Sequence, residues 1–314
     1  MSSKNALFSD LGGETWRVLR FIDEEDKRWS AFNPSVAYSP EHGYVVLFRS
    51  SNYFFDPQTG DAVATIGNRV KNRMFMASLD NTWQIDSSTL KEIDFSECGR
   101  FLRGPEDGRL YWQDGAWHIL SVMREPYISD DIPRIAKYKI EGTKAALLKL
   151  HTEGDLQPIE KNWMPFYKKP DDCDYVYSGA SVYKSEVGKI YRREKEESFL
   201  NMIRGGSALW PVDGYNLAIV HEVDTWEETN YSPRKFGLVT KTKRSYFHRF
   251  ARYSDNGTLT HLSDKFKFSD AHIEFAAGLV VSGVDVIVSY GYKDVASYLG
   301  KIKLKAVLDS LKEI

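Results

Sequence analysis

Short apolar runs separated by tight turns recur along most of this chain. Each run is rich in Val, Ile, Leu, Tyr and Phe over about four to eight residues, which is typical of a β-strand. The runs come in pairs around turns such as Asp114-Gly115 and Asp213-Gly214, whose chemistry favours a hairpin. The same layout of polar residues, strand, turn and second strand occurs in five segments: 33–49, 104–123, 161–179, 204–222 and 274–291.

Repeated hairpins of this kind predict a β-propeller, in which each repeat is one blade of about four strands. Five copies predict an all-β, five-bladed β-propeller. Because the first strand of each blade lines the central channel, the polar residues that open the copies should converge on one pocket. These residues are Asn33, Glu106 with Asp107, Lys161 with Asn162, Arg204, and Glu274.

The two ends of the chain depart from the repeat pattern. Residues 1–30 predict a lead segment with one short strand, and apolar residues at helical spacing predict a short C-terminal helix over 303–314. No linker rich in Pro, Ser or Gly divides the 314 residues. The sequence therefore predicts a single catalytic domain over 1–314.

Charge and cysteine content narrow the possible partners. The net charge of −2 argues against a chain that binds nucleic acid over its whole surface. Two cysteines fit no metal-binding spacing and are too few for a disulfide framework, and no apolar run is long enough to span a membrane. These features predict a soluble, cytoplasmic protein without a membrane partner and without an obligatory metal or cofactor.

One basic stretch is a candidate for a local binding surface despite the negative net charge of the chain. Its cations are interleaved with Tyr246, Phe247 and Phe250, which is typical either of a solvated strand and loop or of a site for a phosphate-bearing substrate. A nucleic-acid acceptor is a further possibility. The cations are Arg234, Lys235, Lys241, Lys243, Arg244, Arg249 and Arg252.

Two adjacent carboxylates, Glu106 and Asp107, lie between a Gly-Pro turn and Arg109, which opens an apolar strand. A neighbouring carboxylate raises the pKa of an acid and a neighbouring cation lowers it, which is how acid and base roles arise. Asp107 is therefore the candidate catalytic acid. The alternative is a solvated surface turn.

Other polar residues at strand ends are candidates for binding. Arg49 suits an inter-blade salt bridge or a contact with a substrate oxygen, and Lys161 with Asn162 suits sugar hydroxyls and phosphate or bonding across the channel. Arg204 precedes two glycines, which favour close approach of the backbone to a ligand or to another strand. His221 ends an apolar strand, as a buried core histidine or a ligand contact would.

Several of these segments carry a family resemblance. They are Asn33-Pro34 with the strand ending at Arg49, Glu106-Asp107-Gly108-Arg109, Lys161-Asn162, Gly205-Gly206 with the strand ending at His221, and Phe275 through Tyr290-Gly291 to Asp294. In these segments the chain resembles glycoside hydrolase family 130, five-bladed propeller enzymes that phosphorolyse or hydrolyse β-mannosides. Gly108 stands where that family has Pro. The segments EKNWMPF and YFHRFARYS resemble a divergent branch that includes glycosyltransferases.

The resemblance implies roles for particular residues. Asp107 matches the family's general acid, His221 a position that contacts phosphate or sugar, and Asp294 a position that binds sugar hydroxyls. Three further residues in the matched segments are expected to bind substrate: Glu106, Arg109 and Tyr290. The convergence of the repeats predicts Asp107 within about 10 Å of Asn162, His221 and Asp294, a span that one sugar unit can bridge.

The choice of reaction depends on which groups exchange protons. Inverting hydrolysis needs an acid and a base, whereas phosphorolysis needs only the acid. A cluster of Arg49, Lys161, Asn162 and His221 would hold phosphate, or the diphosphate of a sugar nucleotide if the chain is a glycosyltransferase with the carboxylate as base. A non-catalytic carbohydrate-binding propeller remains a further alternative. The predicted partners are thus a carbohydrate and a phosphate or sugar-nucleotide co-substrate.

Overall fold

The computed structural model describes residues 6–22, 28–55, 62–67, 69–99, 103–124, 132–171, 173–179, 181–184, 186–192, 198–232 and 237–314. Parts of the predicted lead segment, 1–5 and 23–27, lie outside the described residues, as do Arg234 and Lys235 of the basic stretch.

The described residues form 26 β-strands, four short 3₁₀ helices and one α-helix. The strands are β1 (Ala6–Leu7), β2 (Glu14–Leu19), β3 (Ser30–Ser39), β4 (Gly43–Ser51), β5 (Tyr53–Phe55), β6 (Ala62–Ala64), β7 (Asn72–Ser78), β8 (Lys91–Ile93), β9 (Glu106–Gln113), β10 (Ala116–Arg124), β11 (Pro133–Glu141), β12 (Lys144–His151), β13 (Met164–Pro165), β14 (Tyr175–Ser178), β15 (Ser181–Lys184), β16 (Lys189–Arg192), β17 (Arg204–Gly205), β18 (Trp210–Val212), β19 (Tyr215–Ser232), β20 (Gly237–Tyr253), β21 (Leu259–Leu262), β22 (Phe266–Lys267), β23 (Glu274–Ser282), β24 (Asp285–Tyr292), β25 (Ala296–Lys303) and β26 (Lys312–Glu313). The 3₁₀ helices are Phe8–Leu11, Ser87–Thr89, Ser96–Cys98 and Ser198–Met202, and the α-helix is α1 (Leu304–Ser310).

Most strands belong to antiparallel sheets that pack around a common centre. Four sheets have four strands each, in the orders β3-β4-β7-β8, β9-β10-β11-β12, β13-β14-β15-β16 and β23-β24-β25-β2. A larger sheet of eight strands is built on β19 and β20, and β5 with β6 forms a separate two-stranded sheet. The fold of the described residues is therefore all-β with a propeller-like arrangement and one α-helix, as the sequence predicts.

The number of regular blades differs from the prediction of five. Four sheets have the four-stranded form of a blade among the described residues, and the fourth repeat, 204–222, lies in the eight-stranded sheet. Its first strand is split into β17 and β18 around a short gap. Its two long strands pair with each other as far as Ser232 and Gly237. The spacing of the hairpins in the sequence predicts neither the split first strand nor the long β19–β20 pair.

The C-terminal helix is shorter than the predicted 303–314. It ends at Ser310, Leu311 is extended, and β26 pairs with β21 through His261 and Leu262. Its apolar side packs on the last sheet, where Val307 is fully buried. No described helix has the length and apolar character that crossing a membrane requires.

The first strands of three sheets meet at the centre of the molecule. The Ser35 hydroxyl on β3 accepts a hydrogen bond from Leu110 N on β9 at 3.0 Å and donates to Ala277 O on β23 at 3.0 Å. The strand β9 also packs against β13. The close approach of these strands brings the polar residues at their ends together.

Candidate active site

Four polar residues of the predicted site have an unusual backbone conformation. The φ angles of Asn33, Asp107, Asn162 and Asp294 are 47°, 48°, 64° and 54°. Positive φ is uncommon outside glycine, and Asn and Asp tolerate it best. Local strain of this kind concentrates at functional sites.

Two of the four residues lie at irregularities of strand pairing. The register of β3 against β4 shifts between Phe32 and Ser35, and the register of β10 against β9 shifts opposite Asp107. A β-bulge re-aims a side chain that regular alternation would direct elsewhere. The bulges and the left-handed residues thus explain how successive sheets present polar side chains to one pocket.

Asp107 lies in the centre of a hydrogen-bonded cluster. Its Oδ1 atom accepts from Arg49 Nη1 at 2.8 Å and from Asn33 Nδ2 at 2.9 Å. Burial favours the neutral acid, but Arg49 and Asn33 outweigh burial and lower the pKa of Asp107 to about 2. The side chain is 20% exposed. Asp107 is thus an accessible carboxylate that is ionised at neutral pH.

Arg49 connects this carboxylate to its neighbour Glu106. Its Nε atom donates to Asn72 Oδ1 at 3.1 Å, and its Nη2 atom lies 4.0 Å from Glu106 Oε1. Glu106 also accepts from Arg124 Nε at 3.2 Å. Burial disfavours the charge of Arg49, yet Asp107 and Glu106 more than compensate and raise the pKa of its guanidinium. Of the two predicted alternatives for Arg49, the structure shows the ion pair between sheets, and contact with a substrate oxygen stays a prediction.

Arg109 joins the next parts of the site and is 1% exposed. Its guanidinium donates to Gly206 O at 2.9 Å, to Asp107 O at 2.7 Å and to Asn162 Oδ1 at 2.9 Å. Burial lowers the pKa of Arg109 to about 10, so it stays charged at neutral pH. Its guanidinium orients Asn162 and the backbone at Asp107.

Gly205 and Gly206 are explained by close packing of the backbone. A Cβ atom on Gly205 would lie 2.0 Å from Asn162 O, and one on Gly206 would lie 2.3 Å from Ile219 O. Of the two predicted roles for this pair, the structure therefore shows close strand approach.

His221 and Arg204 are paired across β17 and β19, and Gly205 beside them packs on Asn162. The ring of His221 is buried, stacks on Tyr246 at 5.7 Å and meets Phe275 edge-on at 5.1 Å. Burial, Arg109 and Arg204 lower the pKa of His221 to about 3, so the imidazole is neutral. Arg204 is exposed, and Lys161 beside Asn162 is half-buried. Cationic and neutral donors thus gather around His221.

Asp294 is the second aspartate of the site, and the Tyr53 hydroxyl donates to its Oδ2 atom at 2.8 Å. Burial, helped by the negative charges of Asp107 and Glu106, raises the pKa of Asp294 to about 6 against the opposing effects of Arg49 and Tyr53. The site therefore holds two carboxyl groups whose pKa values differ widely.

The structure brings together most of the predicted residues. Arg109 links Asp107 to Asn162, and the charge of Asp107 acts on the pKa values of His221 and Asp294. Asn72, at the start of β7, holds Arg49 Nε. Two further contributors were not predicted: Arg124 and Tyr53. Arg124 ends the second strand of its sheet and Tyr53 follows the second strand of the first sheet, where the repeat pattern gave no signal.

Glu274 and Tyr290 are placed differently from the others. Glu274 is fully buried and accepts hydrogen bonds from Phe268 N at 3.0 Å and Ser269 Oγ at 2.5 Å. Tyr290 is 2% exposed and stacks on Phe268 with ring centroids 4.0 Å apart. Among the described residues, neither has a hydrogen bond to the Asp107 cluster, and both stabilise the packing behind it.

Three cations of the basic stretch have partners within the protein. Arg249 donates to Glu222 at 2.5 Å, Lys243 pairs with Glu228 at 3.3 Å, and Arg252 lies over the Tyr215 ring at 4.2 Å. No observation on the described part of this stretch supports a nucleic-acid acceptor.

Comparison with known proteins shows that this chain is similar to several solved structures in fold. No protein-family model and no curated protein matches the chain. Among solved structures, the β-1,2-mannobiose phosphorylase from Listeria innocua in complex with β-1,2-mannobiose is 13% identical over 95% of this chain and 99% of that chain, with a TM-score of 0.57. A mannose phosphorylase from Leishmania mexicana, in complex with phosphate ion, is 10% identical over 96% and 92%, with a TM-score of 0.55.

A transferase has the same fold. The GDP-Man-dependent mannosyltransferase from Leishmania mexicana is 11% identical over 92% of this chain and 89% of that chain, with a TM-score of 0.53. Mannoside phosphorylases and related glycosyltransferase-like propellers are thus structural neighbours of this chain, which confirms the predicted resemblance in fold. At identities this low, a shared fold does not show that two proteins catalyse the same reaction.

Proposed function

We propose that this protein is a carbohydrate-active enzyme that transfers a glycosyl unit, with Asp107 as the carboxylate at the reacting oxygen. The observation that carries the proposal is the convergence of left-handed Asn33, Asp107 and Asn162 from three repeats, joined by buried Arg49 and Arg109. Strained polar residues fixed by two buried cations are more than the packing of a propeller requires.

The protonation state of Asp107 favours one direction of the reaction. An ionised carboxylate accepts a proton from an attacking hydroxyl or water, and the same residue returns the proton as an acid when the reaction runs backwards. A pKa of about 2 therefore favours attack by an acceptor on a glycosyl donor in the resting protein. The general-acid role expected for Asp107 in mannoside phosphorolysis stays a prediction and describes the reverse direction.

The residues around His221 and Asn162 suit a phosphate-bearing co-substrate. Exposed Arg204, half-buried Lys161, the Asn162 amide and neutral His221 offer positive charge and hydrogen-bond donors. Such a set stabilises a phosphate group held near a reacting carbon. A sugar phosphate or sugar nucleotide is therefore the proposed donor, with inorganic phosphate as nucleophile in the reverse reaction. Mannosides are the first sugars to test, since the structural neighbours named above act on them.

A ligand screen followed by one substitution tests the function. Inorganic phosphate, mannose 1-phosphate and GDP-mannose are compared by thermal shift, since a ligand at 100 times its dissociation constant adds about 2.7 kcal/mol of stability. Asp107→Asn should then lower turnover of the active donor by about 10² to 10⁴ while the protein still binds sugar. Asp114→Asn is a matched control, because Asp114 also has positive φ but lies in an exposed turn.

Two outcomes would contradict this function. Full turnover in the Asp107→Asn variant would remove Asp107 from the reaction. Sugar binding by the wild-type protein without turnover of any of these donors or of β-mannosides would instead indicate a non-catalytic carbohydrate-binding propeller.

A further inference from the structure

A second cleft lies between the first two four-stranded sheets, at the turn ends of their strands. Its volume is about 510 Å³, within the range of about 300–1,000 Å³ that is usual for small-molecule sites. Trp112, which lines it, lies five residues beyond Asp107 on β9. At a rise of about 3.3 Å per residue, these two positions are roughly 16 Å apart. The cleft is therefore separate from the pocket at Asp107.

Three aromatic rings belong to the lining of this cleft. Trp112 and Trp117 are paired across β9 and β10, with ring centroids 5.0 Å apart and ring planes at 74°. The His42 ring, from the turn between β3 and β4, lies 5.4 Å from the Trp112 ring and 6.3 Å from the Trp117 ring. The Ser39 hydroxyl accepts a hydrogen bond from His42 N at 2.9 Å, which fixes that turn. Rings from two neighbouring sheets thus line this tryptophan cleft.

Trp117 is nearly buried, but its indole N–H has no partner in the part of the chain that the structure describes. The residue is 5% exposed, and its Nε1 atom is neither hydrogen-bonded nor completely enclosed by protein. A buried Trp N–H usually has a hydrogen-bond partner. The apolar side chains of Val45, Ile93 and Ile140 form other parts of the lining. The cleft therefore offers ring faces, apolar contact and a donor for a ligand oxygen.

The charged side chains of the tryptophan cleft are balanced. Two acids, Glu41 and Glu141, and two lysines, Lys91 and Lys139, line it. Lys139 pairs with Glu141 at 2.8 Å. A site for phosphate or nucleic acid would carry an excess of positive charge. Balanced charges instead suit a neutral sugar, because its hydroxyl groups hydrogen-bond to side chains of either sign while its C–H faces pack on aromatic rings.

We propose that the tryptophan cleft is a second carbohydrate-binding site, which holds a neutral glycan at units remote from the one that reacts at Asp107. The proposal rests on the glycosyl-transfer function proposed above, and it narrows the substrate to a glycan chain longer than a disaccharide. A chain bound at the cleft stays near the protein, so its capture by the pocket becomes an intramolecular step. The tryptophan cleft should therefore lower KM for long glycans and leave kcat unchanged.

Nitrogen-15 NMR of the tryptophan indoles tests binding without turnover. The wild-type protein is titrated with soluble, neutral mannan, glucan and galactan. We expect at least one of these glycans to shift the two indole signals that are missing from Trp112→Phe and Trp117→Phe. Trp226→Phe identifies a control signal, because Trp226 is 40% exposed and its ring lies 5.3 Å from that of His272, but it does not line the cleft. The Trp226 signal should stay in place.

Two results of this titration would overturn the proposed site. In the first, neither cleft signal responds to any of the three glycans. In the second, both signals respond only to a proline-rich peptide, a ligand that also packs into grooves lined by aromatic rings. The cleft would then bind a polypeptide and not a carbohydrate.

Kinetic measurements on His42→Ala test the tethering role. His42 is exposed, so its substitution should leave the fold intact. KM for the glycan that binds should rise by about three- to ten-fold, the usual contribution of one aromatic contact, while kcat and the KM for the corresponding disaccharide stay unchanged. His261→Ala, at a half-buried histidine outside the cleft, is the control. Equal increases in KM for glycan and disaccharide would overturn the tether, since the cleft would then act on the pocket itself.

These measurements separate failure of the glycan site from failure of the proposed function. If the cleft signals shift but the wild-type protein turns over no donor, the proposed function fails and the glycan site stands. If donors are turned over but no glycan shifts the cleft signals, the glycan site fails and the proposed function stands.

Discussion

Left-handed residues from separate repeats come together in the candidate site. Asn33, Asp107 and Asn162 occupy corresponding places at the start of successive repeats, and each has positive φ. Such a conformation costs on the order of 1–3 kcal/mol in a residue other than glycine and persists only where the surroundings enforce it. Here Arg49 and Arg109 supply the enforcing hydrogen bonds.

Loss of the Arg49 cation should weaken the fold and free the Asp107 carboxyl. Arg49→Met leaves Asp107 without its 2.8 Å partner, so the pKa of Asp107 should rise and the free energy of unfolding should fall by about 3 kcal/mol. Urea unfolding at pH 7 measures the loss. Lys139→Met removes an exposed ion pair to Glu141 and should cost less than about 1 kcal/mol. Equal costs for the two variants would contradict the role assigned to Arg49.

The raised pKa of Asp294 makes a prediction about stability and pH. Its folded-state pKa of about 6 exceeds its ordinary value of 3.8, so its contribution to stability is present below pH 3.8 and is lost as pH rises through 6. Asp294→Asn does not titrate there. Its stability relative to wild type should therefore improve between pH 4 and 7, by at most about 3 kcal/mol. Urea unfolding at several pH values checks this, and a constant difference would contradict it.

At the scale of elements, the site depends on how closely neighbouring strands approach. Gly291 on β24 faces Asn33 on β3, and a Cβ atom there would lie 2.0 Å from Asn33 Oδ1. The φ angle of Gly291 is not positive, so space for the Asn33 side chain, not backbone freedom, requires glycine here. Packing of β24 on β3 at Gly291 thus holds the side-chain amide of Asn33 against Asp107.

Gly291→Ala should therefore act on the site through Asn33. The added methyl group displaces the Asn33 amide, so the pKa of Asp107 should rise as it does in Asn33→Ala. The double variant tests the mechanism, since residues that act through one contact are not additive. Carbon-13 NMR of the Asp107 carboxyl at acid pH measures all three variants. Additive shifts in the double variant would show that Gly291 acts by another route.

The position of a residue within its strand or loop explains which parts of the site the sequence could predict. Asn33, Asp107 and Asn162 open their repeats, so hairpin periodicity located them. Tyr53 was missed, because its contact to Asp294 joins residues 241 positions apart across two sheets. Glu274 opens a repeat as well, yet the loop that holds Ser269 folds over it. Periodicity gives the strand on which a residue lies but not the loop that covers it.

At the scale of the whole molecule, the last sheet is completed by the beginning of the described chain. The strand β2 pairs with β25, from Glu14 with Lys301 to Leu19 with Ser297, so strands from both ends of the described chain share one sheet. The sequence predicted a strand in this lead segment but not its partner, because pairing between distant segments leaves no local pattern. For the same reason hairpin counting could not reveal the eight-stranded sheet that interrupts the four regular ones.

This closure should be a main contributor to stability, and Trp16 on β2 tests it. Trp16 is half-buried against the apolar cluster that contains Val280, Ile287 and Leu299, and its Nε1 atom donates to Trp83 O at 3.4 Å. Trp16→Ala should lower the free energy of unfolding by about 2 kcal/mol, less than for a fully buried Trp.

The neighbouring exposed residue on β2 supplies the control for the Trp16 prediction. Arg17→Ala changes an exposed side chain on the same strand and should stay within about 0.5 kcal/mol of wild type in urea unfolding. Hydrogen exchange adds a local readout, since the amides of β25 that pair with β2 should lose protection in Trp16→Ala but not in Arg17→Ala. If Trp16→Ala unfolds like the wild type and keeps those amides protected, β2 only covers the last sheet. In that case the contacts of β3 with β23 hold the first and last sheets together. These contacts lie at the centre of the molecule, where the Ser35 hydroxyl donates a hydrogen bond to Ala277 O.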